Sequence, residues 1–218
     1  ASGGSGAAGR FDVQSWFAKA TTEFETLGVE HNFGVQANGY IWTIYGAKTA
    51  GGIANLGNSN LYNPKTFSNP HVTKGGGAYK SSDTIMKNLT IADDIKLNDY
   101  FSVILSAARS NFENKNKQTG VKTYDESGTS YAASFIYRPV ENISLYFTYA
   151  DSLQAGSSYT YERTNPRYGE TVVLKPFRSK QYEIGAKARI EDIDLSAALY
   201  EIKRPIAYLG DNNEYSIQ

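Results

Sequence analysis

The sequence has no cysteine, only two histidines and one methionine among its 218 residues. Without cysteine the chain can form no disulfide, no thiolate nucleophile and no cysteine-ligated zinc site. His31 and His71 lie in different segments, and neither has further ligand residues at metal-binding spacing, which argues against a metal centre. The 22 basic and 22 acidic side chains cancel, so nothing in the charge balance points to a nucleic-acid partner.

Long apolar runs are also missing. No stretch of 18 or more apolar residues occurs, which excludes a transmembrane helix. The chain is instead rich in aromatic residues and glycine, with 17 Tyr, 10 Phe and 20 Gly. Tyrosine suits a surface that is partly apolar and partly wet. Residues 1–11 form a small-residue segment that we expect to be flexible, followed by one β-structured unit over 12–218.

The main signal in the unit 12–218 is a period of two. In 181–190, apolar residues alternate strictly with polar or small ones, and only a strand separates such residues onto two faces. His31 interrupts the apolar row of one such segment. The same alternation predicts strands near 12–25, 28–46, 82–96, 99–112, 126–138, 142–152, 180–190 and 194–204, with another beginning near 213.

The connections between these strands alternate in length. Very short turns alternate with long polar loops at 47–81, 113–125 and 153–179. Membrane barrels have short turns on the periplasmic side and long loops outside. We therefore predict an all-β fold, an antiparallel up-and-down transmembrane β-barrel present in part, as about eight or nine strands of a larger barrel. The alternative is a soluble β-sandwich, in which the apolar rows would meet in a dry interior.

Two blocks of sequence indicate a family. The first is the stretch 142–156, and the second comprises Gly169, Leu174, Pro176, Ser179, Lys180, Gln181, Tyr182, Glu183, Gly185 and Lys187. With the strands on either side they cover about 131–204 and resemble the barrel of TonB-dependent siderophore receptors. In that family a plug of about 150 residues fills a barrel of about 22 strands. Neither plug nor TonB-contacting box is visible here, so we expect a middle-to-late part of the barrel.

The resemblance implies a function. It implies a bacterial outer-membrane protein that is not an enzyme, with a ferric siderophore as ligand, the TonB complex as energy-transducing partner through the plug, and lipid around the barrel. It implies no cofactor, since the iron would arrive inside the ligand. The alternatives are a receptor for cobalamin or a glycan, or a small passive porin. An outer-membrane enzyme would need Asp, His or Ser clustered at one rim, and the adjacent Asp93 and Asp94 should point to opposite faces of a strand.

The loop 153–179 supplies the candidate ligand contacts. Arginine offers charge-assisted hydrogen bonds to an anionic chelate, and tyrosine offers flat apolar area with a polar tip. The candidates are Tyr159, Tyr161, Arg163, Arg167, Tyr168 and Arg178. The alternative for the same residues is a solvated loop whose aromatic side chains pack locally.

Overall fold

The computed structural model describes residues 2–4, 10–210 and 214–217, in which every regular element is a β-strand. The long strands are β2 (Arg10–Thr26), β3 (Val29–Ala47), β5 (Ala78–Lys96), β6 (Phe101–Asn116), β7 (Lys122–Val140), β8 (Ile143–Gln154), β11 (Phe177–Ile190) and β12 (Ile193–Lys203). The short strands are β1 (Ser2–Gly4), β4 (Ile53–Asn55), β9 (Ser158–Thr160), β10 (Thr171–Val173), β13 (Ala207–Leu209) and β14 (Tyr215–Ile217). Nowhere in this part of the chain is there a helix long and apolar enough to cross a bilayer.

The eight long strands form one antiparallel sheet in the order β12-β11-β8-β7-β6-β5-β3-β2. Each pairs with its neighbours along the chain, which is up-and-down topology. Among the described residues β2 and β12 do not pair with each other, so the sheet is an open part of a barrel. The predicted all-β, antiparallel fold is confirmed.

Short and long connections lie at opposite ends of this sheet. The short ones are 27–28, 97–100, 141–142 and 191–192, and the long-loop end carries 48–77, 117–121 and 155–176. In one of the three two-residue turns, Leu27 and Gly28 both have positive φ, at 52° and 78°. Such a two-residue turn matches the right-handed twist of the strands that it joins. The β-carbon of Leu27 makes its φ costly, whereas Gly28 adopts this conformation freely.

The loop expected at 113–125 is much shorter in the structure. β6 and β7 remain paired up to Asn114 and Tyr124, and only residues 117–121 connect them. Lys122 Nζ lies 2.8 Å from Glu113 and 2.7 Å from Asp125, which links the two strands above the apolar rows. The large apolar side chains there, Phe112 and Tyr124, are buried on the face opposite the apolar rows, so the period-two pattern of the apolar face does not continue to the strand ends.

The described parts of the segment 1–11 belong to strands. Ser2–Gly4 pairs with Ile53–Asn55 as β1 with β4, and residues 10–11 begin β2. Residues 1 and 5–9, where most of the expected flexibility falls, lie outside the described residues. That expectation therefore stays a prediction.

One face of the large sheet, here called the apolar face, carries large apolar side chains that remain exposed. The register places Ile184, Phe147 and Phe135 side by side on it. Their exposed fractions are 60%, 48% and 45%, so no other described part of the chain covers them. The apolar rows do not meet in a dry interior, and the sandwich alternative is wrong. An uncovered apolar surface of this kind is suited to lipid.

Aromatic side chains on the apolar face gather at two levels. Towards the short turns, Phe101 lies 5.0 Å from Tyr137 and 5.7 Å from Phe135, measured between ring centroids. Nearer the long loops, Tyr149 and Tyr182 approach to 5.2 Å. Membrane barrels carry such aromatic girdles where the apolar band meets each interface.

His31 lies on the apolar face without breaking it. Its ring stacks on Phe24 with centroids 4.8 Å apart, and its Nδ1 is 2.8 Å from Asp93 Oδ2. The stack continues the apolar surface, and the carboxylate satisfies one ring nitrogen. The other carboxylate oxygen, Asp93 Oδ1, is enclosed without a hydrogen-bond partner in the described part of the chain.

The opposite face, here called the polar face, is hydrogen-bonded along its length. Asn88 Nδ2 donates to Asn38 Oδ1 at 3.2 Å, and Asn88 Oδ1 accepts from Ser110 Oγ at 2.8 Å. Tyr146 Oη donates to Glu183 Oε1 at 2.6 Å. A surface of amides, hydroxyls and charges has to meet water or polar protein rather than hydrocarbon, because unsatisfied polar groups are costly in lipid.

Candidate ligand-contacting surface

The loop 155–176 is a structured element with its own small core. β9 and β10 pair within it, and Tyr161 follows β9 directly. Tyr161 N donates to Glu170 O at 2.9 Å, and Gly169 N donates to Tyr161 O at 3.1 Å, which closes the loop around the side chain. Tyr161 is only 2% exposed, and Leu174 and Asn165 are also buried. The local-packing alternative therefore describes Tyr161 well.

Arg167 packs against this core from its outer side. Its guanidinium carbon lies 4.8 Å from the centre of the Tyr161 ring, and its Nη1 donates to Tyr161 Oη at 3.3 Å. Its Nε donates to Glu170 Oε2 at 2.8 Å, and this hydrogen bond raises the pKa of Arg167 above its ordinary value. A cation over a tyrosine face is attracted by the ring quadrupole. Arg167 thus holds the loop in shape.

The loop also packs on the hairpin β13–β14. Tyr215 stacks on Tyr159 with ring centroids 4.6 Å apart, and it lies 5.2 Å from Tyr161 at a tilted angle. Tyr215 N donates to Tyr161 Oη at 3.3 Å. Glu214 Oε1 lies 3.5 Å from Arg167 Nη1. Two connections on either side of β11 and β12 are therefore joined through aromatic rings and one ion pair.

Two contacts fix the base of the loop to the sheet. Tyr124 is 3% exposed, and its hydroxyl accepts a hydrogen bond from Gly156 N at 2.7 Å. Burial raises the pKa of Tyr124, so this phenol stays protonated at ordinary pH. At the other end, Arg178 Nη1 lies 2.5 Å from Asp151 Oδ2, and its Nη2 donates to Thr129 O at 2.6 Å. Arg178 therefore links β11 to both β8 and β7.

The six candidate residues fall into two groups. Tyr159, Tyr161 and Arg167 come together in the loop core, and Arg178 binds the wall below it. Arg163 and Tyr168 are exposed at the end of the loop, and the exposed fraction of Tyr168 is 61%. Only this second group presents free side chains to a ligand. Composition alone could not separate the groups, since Tyr215 and Tyr124 come from outside the loop.

The second long loop, 48–77, is closed at its base and open beyond it. Gly52 N donates to Thr73 O at 2.7 Å, and Thr49 N donates to Gly76 O at 3.1 Å. Past this base, Leu61 and Tyr62 are 91% and 95% exposed. This loop has a wide polar surface without a core of its own.

The described residues contain no group of three or more His, Asp or Glu side chains arranged to hold a metal ion. Asp93 and Asp94 do lie on opposite faces, with Asp93 opposite Phe33 on the apolar face and Asp94 opposite Asn32 on the polar face. A pair of carboxylates for acid–base work would need a shared cleft. Asp93 and Asp94 therefore do not form such a pair.

Comparison with known proteins identifies the family. Residues 2–214 match the model of the TonB dependent receptor-like β-barrel. The chain belongs to the TonB-dependent receptor family. It is 26% identical over 191 residues to the ferrichrome receptor FcuA of Yersinia enterocolitica, a match that covers 84% of this chain and 25% of that protein.

Solved receptors share the fold. The ferric preacinetobactin receptor BauA of Acinetobacter baumannii aligns with a TM-score of 0.68 at 20% identity, over 96% of this chain and 32% of that one. The outer-membrane ferripyoverdine receptor of Pseudomonas aeruginosa, bound to ferripyoverdine, aligns with a TM-score of 0.68 at 18% identity, over 92% and 26%. The chain thus spans about a quarter to a third of the relatives that it matches.

Family membership shows what each face and each end of the sheet meets in the membrane. A TonB-dependent receptor barrel lies in the outer membrane, so the apolar face meets lipid and the polar face lines the interior. The long-loop end faces outwards and the short turns face the periplasm. The family consists of receptors, and the expectations of an outer-membrane location and a non-enzymatic role are confirmed.

Proposed function

We propose that this chain forms wall and outer loops of a receptor that takes up ferric siderophores. The three relatives compared above are named as receptors for ferrichrome, ferric preacinetobactin and ferripyoverdine. The three names differ, so they support a class of ligand rather than one member of it. Energy would come from the TonB complex through a plug, and iron would enter as part of the ligand, without a metal site in the protein.

The observation that carries the proposal is the loop 155–176. Its core of Tyr161 and Arg167 gives it a fixed shape at the outward end of the sheet. Arg163 and Tyr168 are exposed on that support. A fixed loop presents its side chains with little ordering cost on binding, which favours affinity. Arg163 would bind an anionic chelate through charge-assisted hydrogen bonds, and Tyr168 would pack on its flat groups.

Binding of iron chelates to whole cells tests this assignment. Cells that express the receptor are incubated with radioactive iron as a hydroxamate, a catecholate and a citrate complex, with cobalamin as the competing class of ligand. One ferric chelate should bind at low concentration. Binding of cobalamin alone, or of no chelate in any class, contradicts the proposal.

A pair of variants tests the site. Arg163→Gln combined with Tyr168→Ala should weaken binding of the selected chelate about tenfold, which corresponds to about 1.4 kcal/mol. Arg189→Gln is the matched control, because Arg189 lies at the periplasmic end, where it pairs with Asp194 and both side chains are 71% exposed. If the control loses as much affinity as the double variant, or the double variant loses none, the two loop residues are not ligand contacts.

A further inference from the structure

The polar face carries one region of exposed apolar side chains, towards its outward end on β2 and β3. Phe17 is directly opposite Asn38 on that face, and Phe11 and Val13 share the face because every second residue of a strand points the same way. Trp42 is directly opposite Val13, and its ring centroid lies 5.9 Å from that of Phe11. The side chains of Phe11, Val13, Phe17 and Trp42, here called the inner patch, are 59%, 65%, 65% and 40% exposed.

One row of side chains across the polar face is covered at one end and open at the other. The register places in this row Val13, Trp42, Thr84, Asn114 and Tyr124. Tyr124 is 3% exposed, and its hydroxyl accepts a hydrogen bond from the base of the loop 155–176. Val13 and Trp42, at the other end, are exposed. The described loops therefore cover one end of the row and leave the inner patch open.

The exposure of the inner patch is not explained by the edge of the sheet. β2 is the last strand of the described sheet, but β3 pairs with β2 on one side and with β5 on the other. Trp42 belongs to β3 and still has 40% of its surface exposed, so its ring faces the barrel interior. An exposed cluster of large apolar side chains on a face that meets water marks a contact site.

The side chains around the inner patch are almost all uncharged. The two rows below the one just described are Ser15, Tyr40, Met86, Phe112 and Glu126, and then Phe17, Asn38, Asn88, Ser110 and Gly128. Among these described positions of the three rows, only Glu126 is charged, and it is acidic.

Such a surface distinguishes ligands by charge. Hydroxyl and amide side chains such as Thr84 and Asn114 supply hydrogen bonds without net charge. An anion brought against the inner patch would lose hydration without meeting a cation, which is costly. An uncharged ligand would lose little hydration there and would gain the flat contact area of the aromatic rings. The three rows therefore favour an uncharged ligand over an anionic one.

We propose that the inner patch contacts the bound iron chelate and selects chelates that are neutral as a whole, the ferric trihydroxamates, over anionic catecholates and citrates. This inference rests on the proposed function, because it concerns the ligand of the same receptor. In a ferric trihydroxamate the hydroxamate anions balance the charge of the iron, so the complex meets the wall as an uncharged body. Its coordinating oxygens still carry formal negative charge, and Arg163 in the loop would donate to them.

Binding of chelates of different charge tests the inference, in cells whose only receptor for them is this one. The neutral probes are ferrichrome and ferrioxamine E, and the anionic probes are ferric enterobactin and ferric citrate. One neutral probe should bind at least about tenfold more tightly than either anionic probe. Equal or tighter binding of an anionic probe overturns the inference and leaves the proposed function standing. Binding of none of the probes contradicts the proposed function itself.

Two variants test the residues of the inner patch. Trp42→Ala should weaken binding of the selected neutral chelate roughly 30-fold, as expected for a central aromatic contact. Val13→Lys adds a cation to the inner patch, so it should weaken neutral binding and strengthen binding of the anionic probes by up to about fivefold. The matched control is Trp16→Ala, because Trp16 is 49% exposed and lies on the apolar face opposite Gly39.

The control variant should bind the neutral chelate as the wild type does, per folded receptor counted by heat-modifiability gels. Equal losses in Trp16→Ala and Trp42→Ala would assign the effect to stability and overturn the contact. If Trp42→Ala fails to assemble, Val13→Lys decides, because the side chain of Val13 is 65% exposed and its replacement disturbs little packing. Unchanged charge selectivity in Val13→Lys would overturn the inference.

Discussion

The loops 48–77 and 155–176 leave the same end of the sheet and both carry exposed aromatic residues, but only one of them has a core. In 155–176 the ring of Tyr161 is enclosed by its own loop and by Tyr215. In 48–77 the ring of Tyr62 is 95% exposed, and the loop is held only at its base. The difference teaches that loop length and aromatic content do not decide order. What decides it is whether a second element is close enough to cover the rings.

The largest effect should follow from removing the core of the ordered loop. Tyr161→Ala deletes a ring that contacts Tyr215 and Arg167, and truncation of a buried aromatic residue typically costs about 3 kcal/mol. Amides of 155–176 should then exchange with deuterium as fast as those of 48–77. Unchanged protection in the variant would show that the loop holds its shape without this ring.

A smaller effect is expected at the foot of the same loop. Arg178→Gln removes the cation that pairs with Asp151, whose side chain is only 4% exposed, while the arginine itself is 36% exposed. Loss of one partner of a buried pair is strongly destabilising, but partial solvent access reduces this to about 2 kcal/mol. The transition in heat-modifiability gels should shift downwards. Asp151→Asn with Arg178→Gln should recover part of the loss, and a double variant as unstable as the single one would argue against an unpaired charge as the cause.

Acid should loosen the contacts that Asp83 makes at the outward end of β5. Asp83 is 8% exposed, accepts from Thr43 Oγ1 at 2.8 Å and pairs with Lys117 at 3.0 Å. Burial alone would raise the pKa of Asp83, but the Thr43 and Lys117 contacts outweigh it and leave the pKa below the ordinary value of 3.8. A lowered pKa contributes stability that is present above the ordinary value and lost as pH falls through the folded one.

Exchange of the β5 amides should therefore rise below about pH 4, and less so in Asp83→Asn. Thr43→Val removes one of the two stabilising contacts, so the rise should begin at a higher pH than in the wild type. Identical pH profiles for the three proteins would contradict this account of Asp83.

The smallest effect should come from the exposed ring of the open loop. Tyr62→Ala removes a side chain that contacts little, so stability should change by less than about 0.5 kcal/mol. Thermal unfolding and loop exchange should both match the wild type. A clear destabilisation would mean that 48–77 has a core after all, and the contrast between the two loops would fail.

The sheet could be predicted from the sequence because its apolar and polar faces differ at every second residue. Residues 181–190 of β11 follow that alternation strictly. The prediction failed at the paired ends of β6 and β7, because the apolar row of the lipid-facing side gives way there to polar residues while Phe112 and Tyr124 are buried on the other face. The charges at 113–125 indicated a loop although they link strands.

The site was harder to predict for a different reason. Which loop residues are free depends on partners far away in the chain: Tyr161 on Tyr215, 54 residues on, and Arg178 on Asp151, 27 residues back. No local pattern encodes such pairs. The same holds for His31, which breaks the apolar row in the sequence but is accommodated by Asp93, 62 residues away.

The register of the large sheet has a consequence for assembly. Its three irregularities, between Ile44 and Tyr45, between Asn114 and Lys115, and between Tyr137 and Val140, all lie near strand ends. Across the hydrocarbon the ladder is uninterrupted, so a slip of one residue would turn a whole strand over. In β11 it would place Glu183, Lys187 and Arg189 in lipid, at about 2–4 kcal/mol for each basic side chain at mid-depth. A misaligned hairpin would therefore insert into the bilayer much less favourably than a correctly aligned one. Insertion thus selects the correct register.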